Sequence, residues 1–507
     1  MNSSEDYLKK IVKGAGIAFL GLAISKLFGY IYRILIARVG TEEYGLFSIG
    51  IAVFSLLTTI CLLGLKGGIL RYVSFYKSRE DYGKVKGVIL FSIKTILPLS
   101  FIVGVILFIF SRQISLYIFH KENLAVVLQI LAFAIPFAAF KEIASSVFYA
   151  FQEVRYEVYS KNIVENFLKI ISVFVLIILG FKVVGFAISY VFAVIFSGIM
   201  AFYFLGKKVF PLFNSTIKSI YIKKELIKFS LPLLFTTLIS PLMQWIDTLM
   251  LGSFKTSSEV GIYNAALPIA SLLFFVPSIL LTLYVPVLTD VYAQDKKEIF
   301  FSLYKRITKW IFSTNIVLLG SFYLFSINIL NALFGSDYLS GSAALLILST
   351  GYFINYIFST SAKVLMIFKK TNIIFLNTIV ILLLNILLNF YLIPLYGING
   401  AAMATSFSLI MESILVLVES KLIVKIFPFD MSYIKILFSS MISFISIGII
   451  IKIWAININL FYLMFLSSAF ITIYILLLIF TKSFEKEDIS MLMAIKNNLF
   501  NRIKTKR

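Results

Sequence analysis

The sequence is short of the groups that build disulfide-linked or metal-held frameworks. It has one cysteine, Cys61, and one histidine, His120, in 507 residues. One thiol forms no disulfide within its own chain, and this pair supplies no Cys/His metal site. Acids are also scarce, with 24 Asp and Glu against 46 Lys and Arg and a formal charge of +22. No G-x-x-x-x-G-K-[ST] run occurs, which excludes a pump driven by a P-loop of its own. No polar stretch is long enough for a sizeable soluble domain. No cofactor is called for beyond a possible coupling ion, H+ or Na+.

What is abundant is apolar: 60% of the residues are hydrophobic, more than a soluble core can hide. Runs of about 18–25 apolar residues recur, each long enough to cross a hydrocarbon slab of about 30 Å as a helix. They fall near 15–37, 45–65, 88–110, 125–150, 162–180, 184–205, 229–252, 262–288, 310–330, 341–367, 373–393, 398–420, 433–454 and 459–480. The first lacks a small-residue cleavage site and is expected to be a span, not a leader. The fold class expected is an all-α integral membrane protein of about fourteen transmembrane helices.

The basic charge is not spread evenly, which argues against a nucleic-acid surface. It concentrates in alternate loops: Lys9 to Lys13, Lys66 to Lys86, Lys207 to Lys228, Lys296 to Lys309, Lys369 and Lys370, and Lys482 to Arg507. The opposite side holds little more than Arg38, Arg112, Lys121, Lys182, Lys255 and Lys452. The positive-inside rule then puts both termini in the cytoplasm of a cell-membrane protein. Anionic lipid headgroups are the partners this charge suits.

Two segments echo each other about 215 residues apart. Arg33-Ile-Leu-Ile-Ala-Arg-Val-Gly-Thr-Glu-Glu-Tyr-Gly-Leu-Phe-Ser matches Asp247-Thr-Leu-Met-Leu-Gly-Ser-Phe-Lys-Thr-Ser-Ser-Glu-Val-Gly-Ile-Tyr-Asn, and Gly180-Phe-Lys-Val-Val-Gly-Phe-Ala-Ile-Ser matches Tyr396-Gly-Ile-Asn-Gly-Ala-Ala-Met-Ala-Thr. A six-span repeat starts each copy on the same face, so the copies are parallel, a known transporter plan. The organisation expected is a six-helix lobe over 1–205, a cytoplasmic linker over 206–228, a second six-helix lobe over 229–425, two added helices over 426–480 and a basic tail over 481–507. The linker suits either an amphipathic helix on the inner leaflet or a charged connecting loop.

These segments, with Gly64-Leu65, Arg71-Tyr72 and Leu392-Ile-Pro-Leu-Tyr-Gly-Ile-Asn-Gly-Ala-Ala-Met-Ala-Thr, resemble the multidrug/oligosaccharidyl-lipid/polysaccharide flippases, above all the polysaccharide-export branch. The resemblance runs to about residue 420 and implies two six-helix lobes around a cavity that opens to alternate sides. The cargo it implies is an isoprenoid-phosphate-linked saccharide, carried from the inner to the outer leaflet by what is expected to be a monomer.

Ionisable residues inside spans are costly and mark pathways or internal pairs. Lys26 and Arg33, seven residues apart, share one face of the first span and suit a phosphate. Asp247 stands opposite Arg33 in the repeat and is either a gate partner, a protonatable site or a local partner of Lys255. Gln244 and Trp245 beside it suit a sugar. Lys94, Lys141, Glu142, Glu165, Asn166 and Lys169 form a second polar set, in which Glu165 and Lys169 have ion-pair spacing. Lys363 and Glu412 are its charged analogues in the second lobe. The candidate cavity residues are therefore Lys26, Arg33, Lys94, Lys141, Glu142, Asp247, Gln244 and Lys363. An exporter of organic cations is the alternative transporter, and these cations oppose it. An enzyme is not expected, because the outer loops lack paired carboxylates.

Overall fold

A backbone in hydrocarbon has no water to satisfy it, so apolar runs of this length close their hydrogen bonds as helices. The computed structural model describes residues 21, 23–212, 216–425, 427–453 and 460–483, and they are helical almost throughout with no strand among them. Among the described residues ten helices are long and apolar enough to cross a membrane, or eleven if one bent pair counts as a single span. The chain divides into two compact bodies, Met1–Ala265 and Ala266–Arg507.

The first body holds α1 (23–37), α2 (Thr41–Cys61), α3 (Leu65–Ser78), α4 (Tyr82–Gln113), α5 (Leu124–Ala132), α6 (Ile135–Ala150), the single turn α7 (Arg155–Glu157), α8 (Glu165–Ile178), α9 (Val183–Phe204) and α10 (Lys223–Phe254). The helix α11 (Ser257–Ala270) begins there and runs across the division. Asp81 caps α4, its carboxylate accepting from the Lys84 N–H at 3.1 Å, a standard satisfaction of an orphan donor. Helices α5 and α6 meet at a 48° bend. Pro136 in the first turn of α6 lacks the N–H that would carry the ladder on from α5 and favours the break there. A π-helical stretch, Val158–Val164, leads into α8.

The second body holds α12 (Phe275–Ala293), α13 (Lys297–Phe334), α14 (Ser342–Ile367), α15 (Thr371–Val424), α16 (Ser432–Ile453) and α17 (Leu460–Phe480). Its core joins Tyr284, Leu288, Phe300, Tyr304, Ile311 and Val364. The Tyr474 hydroxyl donates to the Ser313 carbonyl at 2.9 Å and fixes α17 to α13.

Four of the fourteen expected spans do not stand as separate full-length helices, and a fifth, 125–150, is the bent pair α5–α6. The first begins outside the described residues. The run at 162–180 gives only α8, 14 residues long, because the π-helical stretch takes its start. The runs at 373–393 and 398–420 form the 54 residues of α15. At 1.5 Å per residue a straight helix of that length reaches about 80 Å, far beyond a bilayer core. Gly397 breaks it with φ 55° and ψ −129°, a conformation open to glycine alone. A Cβ on Gly400 would lie 2.1 Å from the Leu392 carbonyl oxygen. Asn385 bonds Thr405 at 3.2 Å and Asn377 bonds Glu419 at 2.7 Å. These contacts nest about residue 396, so α15 is a helical hairpin.

Within the linker, 206–209 belong to a π-helical turn that ends α9, Leu205–Val209, residues 216–222 are not helical, and helix resumes at Lys223. The segment 216–222 lies along α4. The Ile220 N–H donates to the Gly83 carbonyl at 2.9 Å and Lys86 Nζ to the Ile217 carbonyl at 3.0 Å. The basic tail expected over 481–507 falls outside the described residues beyond Ser483.

Candidate functional site

Seven charged side chains of the first body assemble into a ladder. Lys141 on α6, adjacent to Glu142, pairs with Glu165 at the start of α8, and Glu165 also takes Lys169 at 2.8 Å. Glu142 holds two lysines at once, Lys66 of α3 at 2.6 Å on Oε2 and Lys161 of the π-helical stretch at 2.5 Å on Oε1. Glu157 lies 3.9 Å from Lys161. The far end closes under an aromatic ring, with Lys169 Nζ 4.2 Å from the centroid of Tyr190. Such contacts attract an ammonium to a ring face.

Exposure grades along the ladder. The side chains of Lys66 and Lys161 are 47% and 32% exposed, whereas Lys141, Glu165 and Lys169 lie at 7%, 6% and 11%. The open end is thus an exposed ammonium, and the closed end is a fully paired trio. Charges this deep persist only when paired.

The π-helical stretch is what brings the ladder together. Its wide turns leave carbonyls without ordinary helical donors. The Asn166 amide donates to two of them, Asn162 O at 2.9 Å and Lys161 O at 3.4 Å, and to Ser25 Oγ of α1 at 3.0 Å. That polar plug holds the turn from which Lys161 reaches Glu142.

A second polar group joins α1, α2, α10 and α11. The Arg33 side chain bonds the Tyr44 hydroxyl, which itself donates to the Asn264 carbonyl at 3.0 Å. Asp247 is buried and accepts from the Tyr263 hydroxyl at 2.6 Å. Thr248 donates to Asn264 Oδ1 at 3.2 Å. Lys26 is exposed on α1, within electrostatic range of Arg33.

The remaining candidates stand elsewhere. Lys94 is exposed and donates to the hydroxyl of Tyr221 in the linker at 3.3 Å. Hydrogen bonds from Ser219 and then Lys94 hold that phenol below its ordinary pKa. Gln244 is exposed on α10 and Trp245 half-buried. In the second body Lys363 is half-buried on α14, and Glu412 accepts from Asn355 at 3.1 Å. Among the described residues no group of three His, Cys, Asp or Glu side chains is placed to hold a metal.

Lys66, Glu157 and Lys161 were not among the residues expected. The signal for two of them is in the sequence: Glu157, Lys161, Glu165 and Lys169 alternate in sign at four-residue spacing, the period of one helix face. Lys66 gives no such sign, since it reads as one more orienting charge.

The model of the polysaccharide biosynthesis protein family matches residues 11–292, and that of the MatE family matches 232–391. The chain belongs to the polysaccharide biosynthesis protein family. It is therefore a member of the multidrug/oligosaccharidyl-lipid/polysaccharide superfamily, as its motifs led one to expect. The uncharacterized membrane protein MJ1068 of Methanocaldococcus jannaschii is 25% identical over 425 residues, covering 79% of this chain and 82% of that one. The probable low-salt glycan biosynthesis flippase Agl15 of Haloferax volcanii is 24% identical over 174 residues, 34% of this chain and 36% of its own length. Among solved structures, the lipid II flippase MurJ in its inward closed conformation superposes with a TM-score of 0.72 and 18% identity, over 93% of this chain and 99% of that one. That likeness establishes the fold.

Proposed function

We propose that this family member is a flippase, carrying an isoprenoid-phosphate-linked saccharide from the cytoplasmic to the outer leaflet by alternating access. The observation that carries the reading is the ladder of the first body, in which four lysines meet three carboxylates and an exposed ammonium stands at the open end. A phosphate or diphosphate headgroup matches such a surplus, and an organic cation does not. Lys26 and Arg33, on one face of α1, extend the cationic surface. In this reading the protein acts as a monomer with both termini cytoplasmic, performs no covalent chemistry, and meets anionic lipids at its basic loops.

The MatE match over 232–391 favours a second reading, ion-coupled export of a small molecule. One assay separates the two. The purified protein is reconstituted in liposomes, and a fluorescent polyprenyl-diphosphate glycan is placed in one leaflet. Protein-dependent translocation is the outcome expected. No gain over empty liposomes, together with uptake of an organic cation driven by a pH or sodium gradient, overturns the flippase reading.

A further inference from the structure

Helix α3 carries a cation that the ladder does not use. Three glycines, Gly64, Gly67 and Gly68, let α10 approach its backbone; a Cβ on Gly64 would lie 2.3 Å from the Ser230 carbonyl oxygen and one on Gly68 2.2 Å from Ser230 Oγ. One turn beyond Gly68 the seam ends at Arg71. Its guanidinium carbon lies 4.3 Å from the ring centroid of Phe229 on α10 and 5.6 Å from that of Tyr72. The two rings meet edge-on at 5.7 Å, and Tyr72 stacks in turn on Tyr76 at 6.2 Å. Arg71 is exposed and forms no ion pair among the described residues. The nearby carboxylate on α10, Glu225, is engaged electrostatically with Tyr76 and Lys84.

A guanidinium held in cation–π contact with two rings loses rotational freedom, and with no ion pair among the described residues its N–H groups remain available to an anion. Those groups form a planar fork matching two oxygens of one phosphate, a geometry lysine does not offer. The neighbours Leu70 and Phe75 on the same helix are each 43% exposed, so the fork stands beside apolar surface. A charged phosphate next to an alkyl or prenyl chain is the chemistry such a site suits.

We propose that Arg71, held against Phe229 and Tyr72, is a phosphate-ester site at the α3–α10 seam, taking the headgroup of a lipid before or apart from any engagement of the ladder. The shared chemistry is a phosphate monoester or diester on an apolar chain; a prenyl phosphate and a bulk phospholipid are its two sources.

Binding to the full-length protein in detergent tests it without any transport step. The probes are farnesyl phosphate, uncharged farnesol and short-chain phosphatidylglycerol, with affinity read by thermophoresis. R71Q removes the fork, R71K keeps charge without the planar edge, and F229L removes the ring beneath it. Loss of charge-assisted hydrogen bonds is expected to weaken farnesyl phosphate binding by about tenfold or more in R71Q. Weaker binding is also expected in R71K and F229L, with farnesol unaffected throughout. Displacement of farnesyl phosphate by equimolar phosphatidylglycerol assigns the site to bulk lipid, and resistance to displacement assigns it to a prenyl phosphate. Folded R71Q and F229L that bind farnesyl phosphate as wild type does overturn the proposal. Because no translocation is measured, that result leaves the liposome assay of the flippase reading untouched.

Discussion

Gly45 and Gly261 each seat their α-carbon against a carbonyl on the other's helix. A Cβ on Gly45 would lie 1.7 Å from the Ser257 carbonyl oxygen, and one on Gly261 would lie 2.0 Å from that of Thr41. Thr41 and Ser258 hydroxyls close the same crossing at 2.7 Å. Thr41 and Ser257 stand at the same offset in the repeat as the two glycines, so the crossing is reciprocal.

Alanine at either glycine meets backbone, which does not give way. G45A and G261A are each expected to lower stability by about 1–3 kcal/mol or more, read as a fall in melting temperature. G29A is the control: nothing lies within 4 Å of its Cβ, and helix propensity alone favours alanine by up to about 1 kcal/mol. Equal melting temperatures for G45A and G29A would contradict the crossing.

The two bridging carboxylates are expected to differ in consequence. E165Q leaves Lys141 and Lys169 buried without their acid, and breaking a buried pair costs about 3–5 kcal/mol. E142Q leaves Lys66 and Lys161 without theirs, but these are less buried than Lys141 and Lys169, so its loss is smaller. Denaturation of both variants in one detergent checks the order. Adding K141M to E165Q is expected to recover part of the loss; no recovery would show that the two side chains do not share one interaction.

Asn166 is expected to govern the π-helical stretch. N166L removes donors from two carbonyls and from Ser25, a loss of about 1–3 kcal/mol where the acceptors stay buried. Hydrogen exchange over 158–166 should quicken, and transport should fall further than in S25A, which removes one bond only. Unchanged exchange there would assign the turn to packing alone.

Charge removal at Lys26 and Arg33 together is expected to abolish glycan-lipid translocation while the protein stays folded. The K26Q/R33Q variant in the liposome assay, with its melting curve alongside, decides this. Normal flux would exclude both from the cargo path.

Outside the membrane, pH acts on Asp81. Hydrogen bonds from Lys84, side chain first and backbone next, hold its carboxyl below the ordinary value. A depressed folded pKa gives stability that is present above the unfolded value of about 3.9 and is lost as pH falls through the folded one. D81N keeps a cap acceptor without the charge. The small difference in melting temperature between wild type and D81N should therefore be present at pH 6 and shrink as pH falls below about 4; a difference that does not change with pH would point to the cap and not the charge.

How much of this was legible beforehand differs by residue. The all-helical, membrane-spanning character was, because hydropathy acts along the chain. The Glu165–Lys169 contact was too, being local. The partners across helices were not: Lys66 reaches Glu142 over 76 positions and Lys141 reaches Glu165 over 24, and no periodicity encodes which faces meet. The π-helical stretch changes the phase of the turns from Val158 to Val164, so four-residue spacing groups Lys161 with its neighbours along the chain but does not say that it reaches Glu142. Lys94 reads as a deep charge, yet α4 starts at Tyr82, six residues before the apolar run, and the linker lies along it.

The ladder also sets a stoichiometry. Lys66, Lys141, Lys161 and Lys169 face Glu142, Glu157 and Glu165, so the cluster carries one positive charge in excess. A headgroup with a single negative charge brings it to neutrality, after which a diphosphate still holds charge that the cluster cannot balance. Lys26 and Arg33 would then have to join. Whether a cargo carries one phosphate or two should thus appear as how strongly its transport depends on α1.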